Sequence, residues 1–329
     1  MQPAPRIPLA GGGQETILAE VGEQYLLPYF TTRDARALRL VCREFLAAVS
    51  EQPWEDEETV IKGSIGAWRS SFPRALYANV QRTATWRSTE VRTAPVADAD
   101  MAHFVGIVYL CVAECTDITD AAFAYLRGIQ MLDMSGCNQA SITDAALAHL
   151  RGIHTLVMSG CIQDGITDAA FAHLRGIHTL KMRFCYQNSI TDDALAPLEG
   201  IIVLDISDCY GLTDGAFAHL HGIKNLSMRG CDQPSITDAA FAHLHGIHVL
   251  NMCECSQDTI TAGALAHLTG IRELRLSKST PALVAAAQAM GLPTFVSEAV
   301  IDEDGDEEDD EDGQEDEEGQ GDEEGGGME

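Results

Sequence analysis

The sequence predicts an α/β solenoid in which parallel strands form one face and short helices the other, with a helical hairpin in front and an acidic tail behind. Two observations predict it. First, segments beginning at Ile118, Ile142, Ile166, Ile190, Leu212, Ile236 and Ile260 align with one another, and a weaker copy begins at Val96. The steps between starts are 22, 24, 24, 24, 22, 24 and 24 residues, the signature of units that stack. Second, every unit divides into a half with helical periodicity and a half that alternates.

The unit Ile166–Cys185 shows both halves. Thr167-Asp-Ala-Ala-Phe-Ala-His-Leu-Arg-Gly176 reads as a short helix. Thr167 or Asp168 is placed to accept a hydrogen bond from a free N–H of the first turn. The alanines favour helix, and Phe171 and Leu174 fall on one face. Gly176 stands where a helix ends on a left-handed residue. In the next stretch Leu180 and Met182 face one way and Thr179, Lys181 and Arg183 the other, which predicts a strand of about five residues. Only tight turns remain, so successive units must coil side by side.

The recurring pattern I-x-x-L-x-(M/L/I)-x-x-C, followed by (I/L)-T-D-x-x-(F/L)-x-x-L, resembles the cysteine-containing class of leucine-rich repeats. The resemblance covers residues 96–279 as eight repeats and implies a right-handed leucine-rich-repeat horseshoe. The end units depart from it, with Val96-Ala97 in the first and Ser279 in place of Cys in the last. Residues 280–301 read as a closing cap, a helix ending at Gly291 and then an extended segment. Residues 51–95, with Trp54, Trp68 and Trp86, read as a connector that admits a degenerate first coil around Leu76–Trp86.

Residues 16–50 are of another kind, and residues 1–15 read as disordered. Ile17–Leu27 has helical spacing and meets Pro28. Asp34 precedes a second amphipathic helix, Ala35–Val49. A hairpin this small has no core of its own and packs against a partner. Ile17, Leu18 and Glu20, then Asp34, then Leu38, Leu40, Val41-Cys42-Arg43 and Phe45 resemble an F-box. Leu18 stands where that family usually has proline, and one extra residue falls around Leu27–Tyr29. The resemblance implies a substrate-recognition subunit of a cullin-based ubiquitin ligase. Ile17, Leu18, Leu38, Val41 and Phe45 would dock on the Skp-family adaptor, and the repeats would hold a protein substrate. Such a subunit is not an enzyme; transfer is done by its partners. The residues alone support a plainer alternative, an interaction scaffold whose first helices cap the solenoid.

Charge narrows the partners. The formal net charge is −29, and Asp302–Glu329 carries 18 Asp and Glu with no Lys or Arg; removing those 18 leaves −11. The tail, residues 302–329, reads as disordered and solubilising. A body without basic excess argues against nucleic acid and against an anionic membrane surface. No apolar run is long enough to span a bilayer, and the first residues lack the apolar core of a secretion signal. An intracellular setting, cytoplasm or nucleus, is therefore expected, and in it ten cysteines are expected to stay reduced.

No motif for nucleophilic, metal or phosphate chemistry is present, and no cofactor is expected. Cys115, Cys137, Cys161, Cys185, Cys209, Cys231 and Cys255 recur once per unit and read as a buried ladder of thiols donating to backbone carbonyls. Cys111 is expected on the exposed side of a strand. His103, His149, His173, His219, His243 and His267 share one helix position and read as a polar row. Gln139, Gln163, Gln187, Gln233 and Gln257 read as turn stabilisers. Outward strand positions vary while the interior does not, which suits a surface built to present side chains. Within it Phe184, Tyr186 and Tyr210 flank Lys181, Arg183, Asp205, Asp208 and Arg229. Aromatics with arginine are enriched at binding hot spots, so these eight residues are the candidate target-binding set.

Overall fold

A computed structural model describes residues 27, 30–40, 43–56, 59–80 and 95–295. The described residues fall in one compact unit, and the acidic tail, residues 302–329, lies outside the described residues.

This unit is organised by one sheet of ten parallel strands in chain order. They are β1 (Tyr77–Asn79), β2 (Tyr109–Cys111), β3 (Met131–Asp133), β4 (Thr155–Val157), β5 (Thr179–Lys181), β6 (Val203–Asp205), β7 (Asn225–Ser227), β8 (Val249–Asn251), β9 (Glu273–Arg275) and β10 (Thr294–Phe295). The register puts Leu132, Leu156, Leu180, Leu204, Leu226 and Leu250 in one line, each buried. Most strands span three residues, shorter than the five expected. The chain bends away after the third, yet stacking continues through the turn. Met134 N–H donates to Val157 C=O at 2.8 Å, and Gly136 N–H to Ser159 C=O at 2.8 Å.

The repeat helices are also shorter than the ten residues expected. α4 (Asp120–Phe123), α5 (Asp144–Leu147), α6 (Asp168–Phe171), α7 (Asp214–Phe217), α8 (Asp238–Phe241) and α9 (Ala262–Leu265) are single turns. Beyond α6 the chain tightens into a 3₁₀ turn, Ala172–Leu174, and leaves at Arg175, whose ψ is 128°, before the left-handed Gly176. In the unit holding Pro197, which lacks a donor N–H, only 3₁₀ turns form, at Asp192–Ala194 and Ala196–Leu198. The cap is the threonine: Thr167 Oγ1 accepts from Ala169 N–H.

The aspartate after it does something the repeat pattern did not disclose. Asp144 accepts from Thr167 of the next coil twice, from N–H at 2.7 Å and from Oγ1 at 2.8 Å. The same link joins Asp98 to Thr119, Asp120 to Thr143, Asp168 to Thr191, Asp192 to Thr213, Asp214 to Thr237 and Asp238 to Thr261. A carboxylate with two donors is a charge-assisted, geometrically fixed joint between coils.

Inside, Phe123, Phe171, Phe217 and Phe241 are fully buried beside the strand leucines. The periodic thiols lie under the turns. Cys161 Sγ donates to Met134 C=O at 3.2 Å, Cys209 to Met182 C=O at 3.0 Å and Cys255 to Met228 C=O at 3.0 Å. Glutamine amides brace the longer loops, as Gln163 Nε2 does on Cys137 C=O at 3.1 Å. The 22-residue unit from Ile190 has a shorter loop, Tyr210-Gly211, and no glutamine in it.

Helices flank the repeats on both sides in the chain. Upstream lie α1 (Thr32–Leu38), α2 (Arg43–Glu51) and α3 (Ile65–Ser71); downstream, α10 (Pro281–Ala289) buries Leu283 and Ala287. The single helix expected over Ala35–Val49 is broken at Arg39-Leu40. A straight helix would hold Ala35 and Val49 about 21 Å apart along its axis. With the break, both are buried and belong to the one core. Thr31 caps α1, and Asp34, expected before the helix, is its third residue and completes a capping box. Thr32 N–H and Oγ1 donate to Asp56 at 2.6 and 2.7 Å, and Trp54 Nε1 donates to Val49 C=O at 2.9 Å, so the helices are fastened to the connector.

Candidate functional site

The outward side of the sheet carries the variable residues. Its central row runs Cys111, Asp133, Val157, Lys181, Asp205, Ser227, Asn251 and Arg275, one per strand in register. Cys111 corrects an expectation: it is buried, not exposed, because its short side chain sits between Asn79 and Asp133 on the adjoining strands. Burial pushes its thiol up to about 12, with Asp133 adding to the effect. Thr155 in β4, and Ser207 and Ser277 just beyond β6 and β9, are buried as well.

The residue before each periodic cysteine has a left-handed backbone. Glycine occupies that position at Gly136, Gly160 and Gly230, with φ of 68°, 69° and 67°. Other units place Glu114, Phe184, Asp208, Glu254 and Lys278 there, with φ between 55° and 63°. A side chain in this conformation costs about 1–2 kcal/mol, and a bulky aromatic is among the least suited to it. At Gly230 a Cβ would meet the Asp208 carboxylate, which would have to turn aside.

Around Phe184 and Asp208 the candidate set comes together. The Arg183 guanidinium lies 5.4 Å from the centre of the Phe184 ring, and its Nε is 3.9 Å from Asp205 Oδ2. Asp205 accepts from Ser207 N–H at 2.9 Å and Oγ at 2.5 Å. Burial raises the Asp205 carboxyl above its ordinary value, against the pull of Ser207, Arg183 and Lys181. Burial raises Asp208 too, opposed by Arg229 and Arg183. Lys181 is half-buried between Val157 and Asp205. Phe184, Tyr186 and Tyr210 are 45%, 49% and 51% exposed and form the outer margin of the cluster. Two residues outside the expected set join it. Glu254 accepts from Arg229 Nε at 3.1 Å and Nη2 at 3.3 Å, and Ile162 is exposed at the position equivalent to Tyr186. Their signal was in the alignment: both occupy columns already marked by Phe184 and Tyr186.

Of the adaptor-docking residues, Ile17, Leu18 and Val41 lie outside the described residues. Leu38 is the last residue of α1, and Phe45 is half-buried in α2. Leu40 and Leu46 are exposed on the same segment. A cleft of about 510 Å³ separates α1 from the connector, lined among others by Arg33, Arg36, Arg39, Lys62 and Trp68. Among the described residues, no three His, Cys, Asp or Glu are grouped to hold a metal, and no helix is long and apolar enough to cross a membrane.

One sheet of parallel strands, one short helical turn per coil and a sealed leucine core make this an α/β leucine-rich-repeat solenoid. Similarity to a solved structure agrees. The chain is similar to the protein of the TLR13–ssRNA13 complex with a TM-score of 0.51, at 16% identity over 64% of this chain and 30% of that one. It also matches the Drosophila Toll–Spätzle complex (TM-score 0.48, 14% identity, 77% of this chain, 39% of that one). A third match is internalin C2 of Listeria monocytogenes (TM-score 0.41, 18% identity, 70% of this chain, 84% of that one). This chain thus spans well under half the length of the first two. No protein-family model matches it, and no curated protein does.

Proposed function

We propose that the chain is a leucine-rich-repeat interaction scaffold that grips a protein partner on the outward side of its sheet, centred on Phe184, Tyr186, Tyr210, Arg183 and Arg229. The observation that carries this reading is Phe184. An aromatic ring stands half-exposed on a left-handed backbone where three sibling coils use glycine and four use a charged residue. Strain retained at an exposed, hot-spot type of residue points to use of that side chain. Lys181, Asp205 and Asp208 would set register and charge beneath the aromatic margin. In this reading the chain does no bond chemistry. The test is quantitative mass spectrometry of partners retained by the full chain against a Phe184→Gly/Tyr186→Ala/Tyr210→Ala variant of native circular dichroism. A partner lost with the variant supports the reading, and an unchanged partner set refutes it.

A second reading makes this scaffold the substrate-recognition subunit of a cullin-based ubiquitin ligase. It is favoured by the F-box-like run and by Leu40 and Leu46, 80% and 45% exposed on the segment that would meet the Skp-family adaptor. Co-elution of the full chain with purified adaptor, abolished by Val41→Asp or Leu46→Asp, supports it. Absence of co-elution at micromolar concentrations rejects it and leaves the scaffold reading intact.

A further inference from the structure

The two edges of the solenoid differ in charge. Turns from strand to helix carry the aspartates of the inter-coil links. Turns from helix to strand carry cations instead: Arg127, Arg151 and Arg175 on three successive coils, each exposed and each just before a left-handed glycine. The chain has 21 Lys and Arg against 50 Asp and Glu, so three in one row is a concentration of a scarce charge. The row is not neutralised, for none of the three pairs with a carboxylate among the described residues. Arg151 Nη2 lies 3.1 Å from His173 Nδ1. Guanidinium only donates, so that nitrogen accepts and brings no anion. The rings of His154 and His178 stack with centroids 4.6 Å apart, lining the same edge without a negative group.

We propose that this edge is a docking strip for an extended acidic polypeptide segment. Like charges held on neighbouring coils gain most from a ligand that brings a carboxylate to each. Adjacent strands are about 4.8 Å apart, so three coils span about 9.6 Å, which an extended chain rising about 3.3 Å per residue crosses in about four residues. The geometry favours a short peptide over a nucleic-acid strand. The row stops at Glu199, on the coil after Arg175, and the surrounding body is net acidic. A polyphosphate gains affinity with each phosphate neutralised, and here the unbroken row holds three cations, with Lys224 and Arg272 on the same edge only beyond Glu199. The strip lies on a different face from the aromatic cluster, so it stands or falls independently of the proposed function.

The test uses the full chain and a fluorescein-labelled peptide of alternating Glu and Ser, about eight residues long, followed by anisotropy at about 50 and 300 mM salt. Binding at low salt that weakens at high salt is expected. Arg127→Gln/Arg151→Gln/Arg175→Gln should weaken it about tenfold or more with circular dichroism unchanged. Glu199→Arg, which lengthens the row by one coil, should tighten it several-fold, and Phe184→Gly should leave it as it was. No binding at low salt, or equal binding by the triple variant, overturns the proposal. Tighter binding of a single-stranded RNA of equal charge, lost in the same variant, overturns the assignment to polypeptide.

Discussion

Phe184 and Gly230 show opposite uses of one backbone position. At Phe184 a residue ill-suited to positive φ is kept. Phe184→Gly should therefore raise unfolding free energy by about 1 kcal/mol, the relief of left-handed strain less the added freedom of the unfolded chain. Urea denaturation measures it, and a loss of stability would show that the ring is held for packing. At Gly230 the neighbouring Asp208 fills the space of a side chain. Gly230→Ala should destabilise by roughly 1–3 kcal/mol, because strain and collision add, and Asp208→Ala should restore part of that loss. Thiol chemistry is a further matter of single residues. Cys161, Cys209 and Cys255 are buried, and burial pushes their thiols well above the ordinary range, each raised further by a neighbouring cysteine of the ladder. In a Cys42→Ser background, half-buried Cys253 should react first with a thiol reagent under native conditions, and the ladder only on unfolding.

At the scale of elements, the joints between coils matter more than the helices they start. Single-turn helices have little stability of their own. Asp144→Ala leaves Thr167 without its two bonds and should cost about 1–3 kcal/mol, whereas Ala145→Ser on the exposed side of α5 should cost little. The hairpin's joint is of the same type. Burial pushes the Asp56 carboxyl up, but bonds from Thr32 and Thr59 outweigh it and hold the group below its ordinary value. A depressed folded value means the stabilisation is present above the unfolded value, about 3.9, and fades as pH falls through the folded one. The difference in melting temperature between wild type and Asp56→Asn should thus be constant at neutral pH and close below about pH 4. Much of this level was legible in the sequence. The period of 22–24 residues located the strand leucines and the cysteines, because repetition averages away local ambiguity, while the choice between threonine and aspartate as cap was left open. The Asp–Thr joints were not legible, since a carboxylate one residue past a cap looks like ordinary helix chemistry until the next coil is laid beside it. The break at Arg39-Leu40 was hidden for the opposite reason: it occurs once, with no repeat to average over.

For the whole molecule, a stack of coils is as good as its ends. Trp54, Phe72 and Val80 are buried at the first end, and β1 occupies the edge of β2. Removing residues 1–95 should uncover Leu110 and an unpaired strand edge, and light scattering should then report aggregation at concentrations where the full chain stays monodisperse. The aromatic cluster was anticipated from composition and column variability, but not its strain, which only backbone angles reveal. Cys111 was misplaced because strict alternation says which way a side chain points and nothing about how deep its neighbours leave it.

The interchangeable joints carry one more consequence. Excising residues 142–165 would bring Thr167 to Asp120 in place of Thr143, and leucine to leucine along the sheet, with no contact type lost. The length of such a protein is then a heritable variable that changes in whole-coil increments. Unequal crossing-over among its near-identical segments would yield shorter and longer siblings that fold equally well and differ only in how far apart their contact residues stand.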